Sequence, residues 1–289
     1  MAFTALVSDS TAGLSREFAE KHGIRVVPVY IRIEDVTYRD QVDITPEEFY
    51  ERLPTCTPLP ITSQPSAGDF ATVYGELVDQ GATGIICVLI SSGVSGTVSS
   101  AHAAAQGIDG VRIEIIDTQT ASVAHMFCVE AGARALAGGA GFDEAVAVVR
   151  GVVGVQRIVF SVDTLEYLYK GGRIGGAAAL LGSLLQSRPL LYLKEGKIDA
   201  LERVRTSKRA LRRMVQVMGE WLGVEEPVHA VVIEAACRDR AQALLELAQA
   251  QMNVVNARIK PLTPVLGAHV GNGTVGLCCC PVSALHLEA

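Results

Sequence analysis

The strongest constraint on this chain is a rhythm. Short runs rich in β-branched residues, FTALVS, IRVVPVYIRI, GIICVLIS, VRIEIID and QRIVFSV, recur through the first 160 residues with helix-like segments between them. Strands that alternate with helices form βαβ units, so a parallel sheet and an α/β fold are predicted up to about residue 160. The intervening helices carry their own start and stop signals. One follows Gly13 as LSREFAEKHG, and a second opens at Thr45-Pro46-Glu47-Glu48, a capping box with proline at the first helical position. A third starts at Ser66-Ala67-Gly68-Asp69, runs to Gln80 and stops at Gly81.

Two stretches break the rhythm. Residues 36–65 turn charged and proline-rich (YRDQVD, then PTCTPLPITSQP), which reads as an excursion built from a small β-ribbon and a helix. After residue 160, LEYLYKGGRIGG and AAALLGSLLQS read as helices around a glycine turn, and RPLLYLKEGKIDALERVR as a hairpin turning near Glu195-Gly196-Lys197. A helix, a strand, another helix and two late strands around a flexible GAHVGNG loop complete an α+β pattern. The expected organisation is an N-terminal α/β domain over 1–160 and a C-terminal α+β domain over 161–289.

Composition excludes several functions. The chain has 289 residues, 49% hydrophobic but only 5% aromatic, so its core is mainly aliphatic. A net charge of −6 argues against a general binder of nucleic acid or anionic membranes. No stretch approaches the roughly 18 apolar residues of a membrane span. The opening MAFTALVSDST has neither a basic leader nor a long apolar core, so no secretory signal and a cytoplasmic location are expected. The seven cysteines show no C-x-x-C spacing. In Cys278-Cys279-Cys280 strand neighbours point to opposite faces, so a metal site is not expected and buried reduced thiols are.

Polar clusters sit just after predicted strands, where open α/β sheets bind ligands: Asp9-Ser10-Thr11, Ser91 to Thr97, and Asp117-Thr118. Two more, Thr62-Ser63-Gln64-Pro65-Ser66 and Gly267-Ala268-His269, come from the excursion and from near the end of the chain. In Ser91 to Thr97 the glycines permit a tight turn and the following helix offers unpaired N–H groups, which suits a carboxylate or phosphate. Ser and Thr at such positions also serve simply as helix caps. A hydrolase could be assembled from Ser95, His269 and Asp9 or Asp117, but the nucleophile-elbow pattern needs glycine where Thr97 stands. No G-x-x-x-x-G-K-[ST] is present, and no G-x-G-x-x-G follows the first strand, so no nucleotide cofactor is expected.

Six blocks together carry a resemblance: Asp9-Ser10-Thr11, Thr62 to Ser66, Ser91 to Thr97, Leu165 to Ile174 (LEYLYKGGRI), Arg188-Pro189-Leu190-Leu191, and Gly267 to Gly271 (GAHVG). Their order and spacing resemble the DegV family of bacterial fatty-acid-binding proteins, which includes the fatty acid kinase B subunits. The resemblance runs from about residue 4 to residue 282. It implies two α/β domains, a parallel-sheet domain followed by an α+β domain, with a tunnel between them for a long-chain fatty acid such as palmitate or oleate. By the same resemblance the carboxylate is held by Thr62 and Ser95 with His269 at the headgroup, and Ser63, Ser92 and Gly96 are neighbours. Arg173, with Lys170, is implied to dock a partner kinase that converts the bound carboxylate to an acyl phosphate, this chain performing no phosphoryl transfer. The sequence departs from the family at Asn272, where proline is common. The small residues of Ala177 to Leu185 could line an alkyl tunnel. The basic segment Arg203 to Arg213 is either a solvated helix face or part of a docking surface. The two functions left open are a fatty-acid carrier and a Ser95/His269 hydrolase.

Overall fold

The computed structural model describes residues 3–181 and 187–285. Strand β1 (Phe3–Asp9) is followed by α1 (Arg16–Lys21), capped by the Ser15 hydroxyl, and β2 (Arg25–Val27). The excursion then forms β3 (Tyr30–Ile33), β4 (Val36–Arg39), α2 (Pro46–Arg52) and β5 (Ile61–Ser63). Helix α3 (Ala67–Asp79), β6 (Ala82–Leu89), α4 (Thr97–Ala105) and β7 (Arg112–Asp117) restore the βα rhythm. The Thr45–Glu48 capping box forms, and Ser66 with Asp69 makes a second at the start of α3.

The sheet β2-β1-β6-β7 is parallel throughout. Its central strands β1 and β6 are apolar because both their faces are covered. Ile85, Cys87 and Leu89 of β6 face α3 and α4, while Ile86 and Val88 face the interior of the molecule. The run IRVVPVYIRI, read as one strand, is two. Pro28 lies between β2 and β3, which enter different sheets. Proline has no N–H to give to a ladder, so the break falls there. β3 is the centre of an antiparallel ribbon, β4-β3-β5.

Helices α5 (Ser122–Ala137) and α6 (Phe142–Val155) pack on the inner face of the parallel sheet and against each other. A Cβ at Gly132 would sit 2.8 Å from Val149, so glycine sets how closely they approach. Strand β8 (Arg157–Ser161) corrects the expected sheet. Rather than extending the parallel one, it pairs antiparallel in a six-stranded sheet. The chain continues with α7 (Glu166–Lys170), a 3-10 turn over Gly175–Leu180, β9 (Arg188–Lys194), β10 (Lys197–Val204) and α8 (Ser207–Leu222). It ends with β11 (Val228–Glu234), α9 (Arg238–Gln251), β12 (Val254–Pro261), α10 (Pro264–Val270) and β13 (Val275–Pro281). The sheet order is β10-β9-β8-β13-β11-β12, antiparallel except for β11 with β12. The β9–β10 turn falls at Glu195-Gly196, both left-handed (φ 49° and 77°). AAAL is a 3-10 turn rather than the start of a regular helix, and residues 182–186 lie outside the described residues.

The layers therefore run from α3 and α4, through the parallel sheet, through α5 and α6, to the six-stranded sheet and finally α8 and α9. Alternation along β13 shows the same order. Cys278 and Cys280 face the central core, whereas Cys279 faces α8 and α9. The fold is thus a parallel-sheet α/β domain joined to an α+β region. No helix among the described residues is long and apolar enough to cross a membrane.

Candidate functional site

The first strand turns at the carboxyl end of the parallel sheet supply one side of a cavity, and the inner face of the six-stranded sheet supplies the other. Its empty space is about 820 Å³ with the open mouth included. Most of the wall is apolar, including Val29, Ile90, Ile158, Phe160, Ile233 and Val265. Polar side chains also line it: Thr11, Ser122 and Thr274, and a group of five, Thr62, Gln64, Ser95, Arg173 and His269, whose segments contact one another.

Thr62 lies on β5 opposite Ile31, half-buried, and its Oγ1 is 2.8 Å from His269 Nε2. His269 does not occupy a flexible glycine loop, as its neighbours predict. It sits in the last turn of α10, which Pro264 starts and Gly271 (φ 73°) stops. The flanking glycines admit aromatic neighbours. A Cβ at Gly267 would lie 2.5 Å from the Tyr50 hydroxyl, which donates to Leu262 O at 3.2 Å. On the other side of the ring, Nδ1 is buried without a hydrogen-bond partner among the described residues, close enough to Gly171 that a Cβ there would be 2.5 Å away. Loss of solvation, helped by the positive charge of Arg173, pushes His269 down to about 4 from its ordinary 6.5. The imidazole is therefore neutral at neutral pH.

Ser95 approaches from the loop before α4. Its Oγ is 2.8 Å from Thr97 Oγ1 and accepts from Thr97 N at 3.3 Å. The loop is held from two directions. Ser91 Oγ donates to Gly196 O at 2.7 Å, where Gly93 packs so closely on Gly196 that a Cβ would overlap its carbonyl. Arg173 Nε donates to Val94 O at 3.1 Å and Nη1 to Gly171 O at 2.8 Å. Gln64 covers Gly96, whose added Cβ would meet its amide at 2.6 Å.

The other sequence candidates fall elsewhere. Ser63, next to Thr62 on a strand, is exposed and points away from the cavity lining. Ser92 is exposed and donates to Asp117 Oδ2 at 2.5 Å. Gly96 is the N-cap position of α4 beneath Gln64. Lys170 is an exposed partner of Glu166 at 2.6 Å. Arg173, taken for a docking residue alone, belongs to the cavity wall. Of Ala177 to Leu185, the described residues 177–181 do not line the cavity, and 182–185 lie outside the described residues. In the basic segment, Arg213 pairs with Glu202 and Glu220, while Arg205, Lys208, Arg209 and Arg212 are exposed.

A serine hydrolase needs the histidine on the serine and an acid on the histidine. Here the Ser95 hydroxyl is engaged by Thr97 and His269 Nε2 by Thr62. Asp9 accepts from Thr11 N at 2.9 Å, Thr11 Oγ1 at 2.5 Å and Ile90 N at 2.8 Å. Asp117 accepts from Ser92 and from Gln119 N. The two acids tie strand ends together. Sequence reasoning missed Gln64 as a wall residue and the aliphatic wall contributed by β8 and β11, whose residues alternate just as ordinary core residues do.

Comparisons with known proteins follow the same outline. The family model described as "Uncharacterised protein, DegV family" matches residues 4–282. DegV domain-containing protein CPE0304 of Clostridium perfringens is 35% identical over 276 residues, which covers 94% of this chain and 96% of that protein. A fatty-acid-binding DegV family protein from Thermus thermophilus superposes with a TM-score of 0.90 at 35% identity, covering 97% of this chain and 100% of that one. DegV from Bacillus subtilis, a fatty acid binding protein, gives 0.87 at 31% identity over 96% and 99% of the two chains. Sequence and fold agree from the first strand to the last: the chain belongs to the DegV family.

Proposed function

We propose that the cavity holds a long-chain fatty acid such as palmitate or oleate, with its carboxylate at Thr62, Ser95 and His269. The observation that carries this reading is an aliphatic cavity whose polar side chains are gathered by Thr62, Ser95, Arg173 and a neutral histidine. Each buried methylene contributes about 0.8 kcal/mol, so a sixteen-carbon chain gains roughly 10 kcal/mol before the costs of association. A carboxylate taken from water needs hydrogen-bond donors in return. The Thr62 and Ser95 hydroxyls can turn from His269 and Thr97 to supply them, and the Arg173 charge favours an anion nearby. The fatty-acid-binding relatives support the same ligand.

The finer part of the proposal is that the chain is a carrier rather than an enzyme. It presents the carboxylate to a fatty acid kinase, which forms the acyl phosphate, with Lys170 and Arg173 at the docking face. Denaturing mass spectrometry of purified protein should release a near-stoichiometric fatty acid, and Thr62→Val should lower palmitate affinity about tenfold. Protein that arrives empty and takes up neither palmitate nor oleate overturns the lipid reading. Lys170→Glu should slow kinase-coupled turnover with palmitate binding intact, and unchanged turnover removes Lys170 from the docking face.

A further inference from the structure

One polar side chain of the cavity stands apart from the cluster at Thr62, Ser95 and His269. Ser122, the first residue of α5, lines the cavity and is 7% exposed. Its hydroxyl makes no hydrogen bond among the described residues. Unlike the sealed oxygens Thr120 Oγ1 and Thr263 Oγ1, it keeps surface open to the cavity. A plain alkyl chain laid over such a hydroxyl removes its water and returns no hydrogen bond. An open, unpartnered hydroxyl in a mainly aliphatic wall therefore points to a ligand that brings an oxygen of its own.

The backbone beneath this hydroxyl is held in place. Ser122 is left-handed at φ 59°, a conformation costly for a residue with a Cβ and recurrent at ligand-holding sites. One turn on, His125 ties α5 to the parallel sheet. Its Nε2 lies 3.0 Å from Val88 O and 3.2 Å from Ser8 Oγ, and its Nδ1 lies 3.3 Å from Thr11 Oγ1. Residues three apart share a helix face, so Thr11 and Ser122 occupy adjoining parts of the cavity wall. No side chain caps this 16-residue helix, and the positive end of its dipole beside Ser122 favours an acceptor oxygen. The Asp9 carboxylate, bonded to Thr11, disfavours a full negative charge on the same wall. What suits the place is a neutral oxygen that accepts from Ser122 Oγ.

We propose that Ser122, at the N-terminal end of α5, is a second polar subsite of the cavity and pairs with a hydroxyl or keto oxygen along the chain of an oxygenated long-chain fatty acid. The proposal rests on the lipid reading above. Its test is calorimetric titration of the delipidated full chain with stearate and with hydroxystearates and ketostearates substituted at successive chain positions. At least one oxygenated acid should bind about tenfold tighter than stearate. That gain should vanish in Ser122→Gly, which removes the hydroxyl and adopts the left-handed backbone without strain. The same variant should bind stearate at least as tightly as wild type does, because no hydroxyl is left unpaired under the chain. The gain should survive in Thr62→Val, whose loss falls equally on all the acids. If stearate binds but no oxygenated acid gains, or the gain survives in Ser122→Gly, this inference fails alone. If neither stearate nor any oxygenated acid binds, it fails together with the lipid reading.

Discussion

Replacing His269 by glutamine isolates the effect of burying a titratable ring at the polar end of the cavity. The folded ring titrates at about 4 and the unfolded one near its ordinary 6.5. Above 6.5 both states carry a neutral ring, and stability does not depend on it. Below that, the unfolded chain takes up a proton that the native state refuses, so stability falls as the pH falls. The slope is about 1.4 kcal/mol per pH unit, which accumulates to roughly 3 kcal/mol near the folded value and then levels off. Glutamine keeps a hydrogen-bonding group toward Thr62 and does not titrate. Urea unfolding of wild type and His269→Gln from about pH 7.5 down to about pH 4.5 should show the wild type losing roughly 2.5 kcal/mol more than the variant. Carboxylates and the other histidines titrate in both proteins and cancel in the difference. Saturating palmitate should narrow the gap, because a carboxylate beside the ring favours its protonated form. Parallel curves for the two proteins would refute both the neutral, desolvated ring and its place at the headgroup.

Two further outcomes follow from buried groups. Asp40 is fully buried, its Oδ2 has no hydrogen-bond partner among the described residues, and desolvation raises it from 3.8 to about 7. The native state therefore keeps a proton that the unfolded chain releases as pH rises through that window, so stability is lost with rising pH. Asp40→Asn should add up to about 4 kcal/mol relative to wild type at about pH 8 and little at about pH 4, measured as a shift in unfolding midpoint. A variant equally destabilised at both values would show Asp40 ionised and satisfied. Gly93→Ala forces a methyl onto the Gly196 carbonyl that Ser91 also binds. It should cost about 1–3 kcal/mol in urea unfolding and weaken palmitate binding several-fold by displacing Ser95. Wild-type stability and affinity in this variant would show that the loop does not depend on the hairpin.

What could be read from the sequence was local. Thr45 with Glu48, Ser66 with Asp69, and the Glu195-Gly196 turn each involve residues close in the chain, and all three form as written. Sheet membership was not legible. QRIVFSV is apolar because both its faces are covered, while the two halves of IRVVPVYIRI alternate buried and exposed residues, and neither pattern tells which sheet a strand joins. At the site, Thr62, Ser95 and His269 were recoverable because their segments carry a family pattern, and the structure brings all three to one cavity. Ser63 and Ser92 share those segments, but strand alternation and the Asp117 contact turn them outward. Arg173 was visible as a residue while its position in the wall was not, since it depends on the segment after α7 folding back toward Val94. The cavity itself left no mark, because a residue facing an alkyl ligand is chosen by the same chemistry as one facing another side chain.

The three cysteines of β13 form a natural set of reporters. Burial raises all three thiols, so none reacts with a thiol reagent until its surroundings open. Because Cys279 belongs to the compartment under α8 and α9, and Cys278 and Cys280 to the one beside the cavity, labelling order reads which side of the six-stranded sheet loosens first. A single strand can thus report separately on the outer helical layer and on the chamber wall, without an engineered probe.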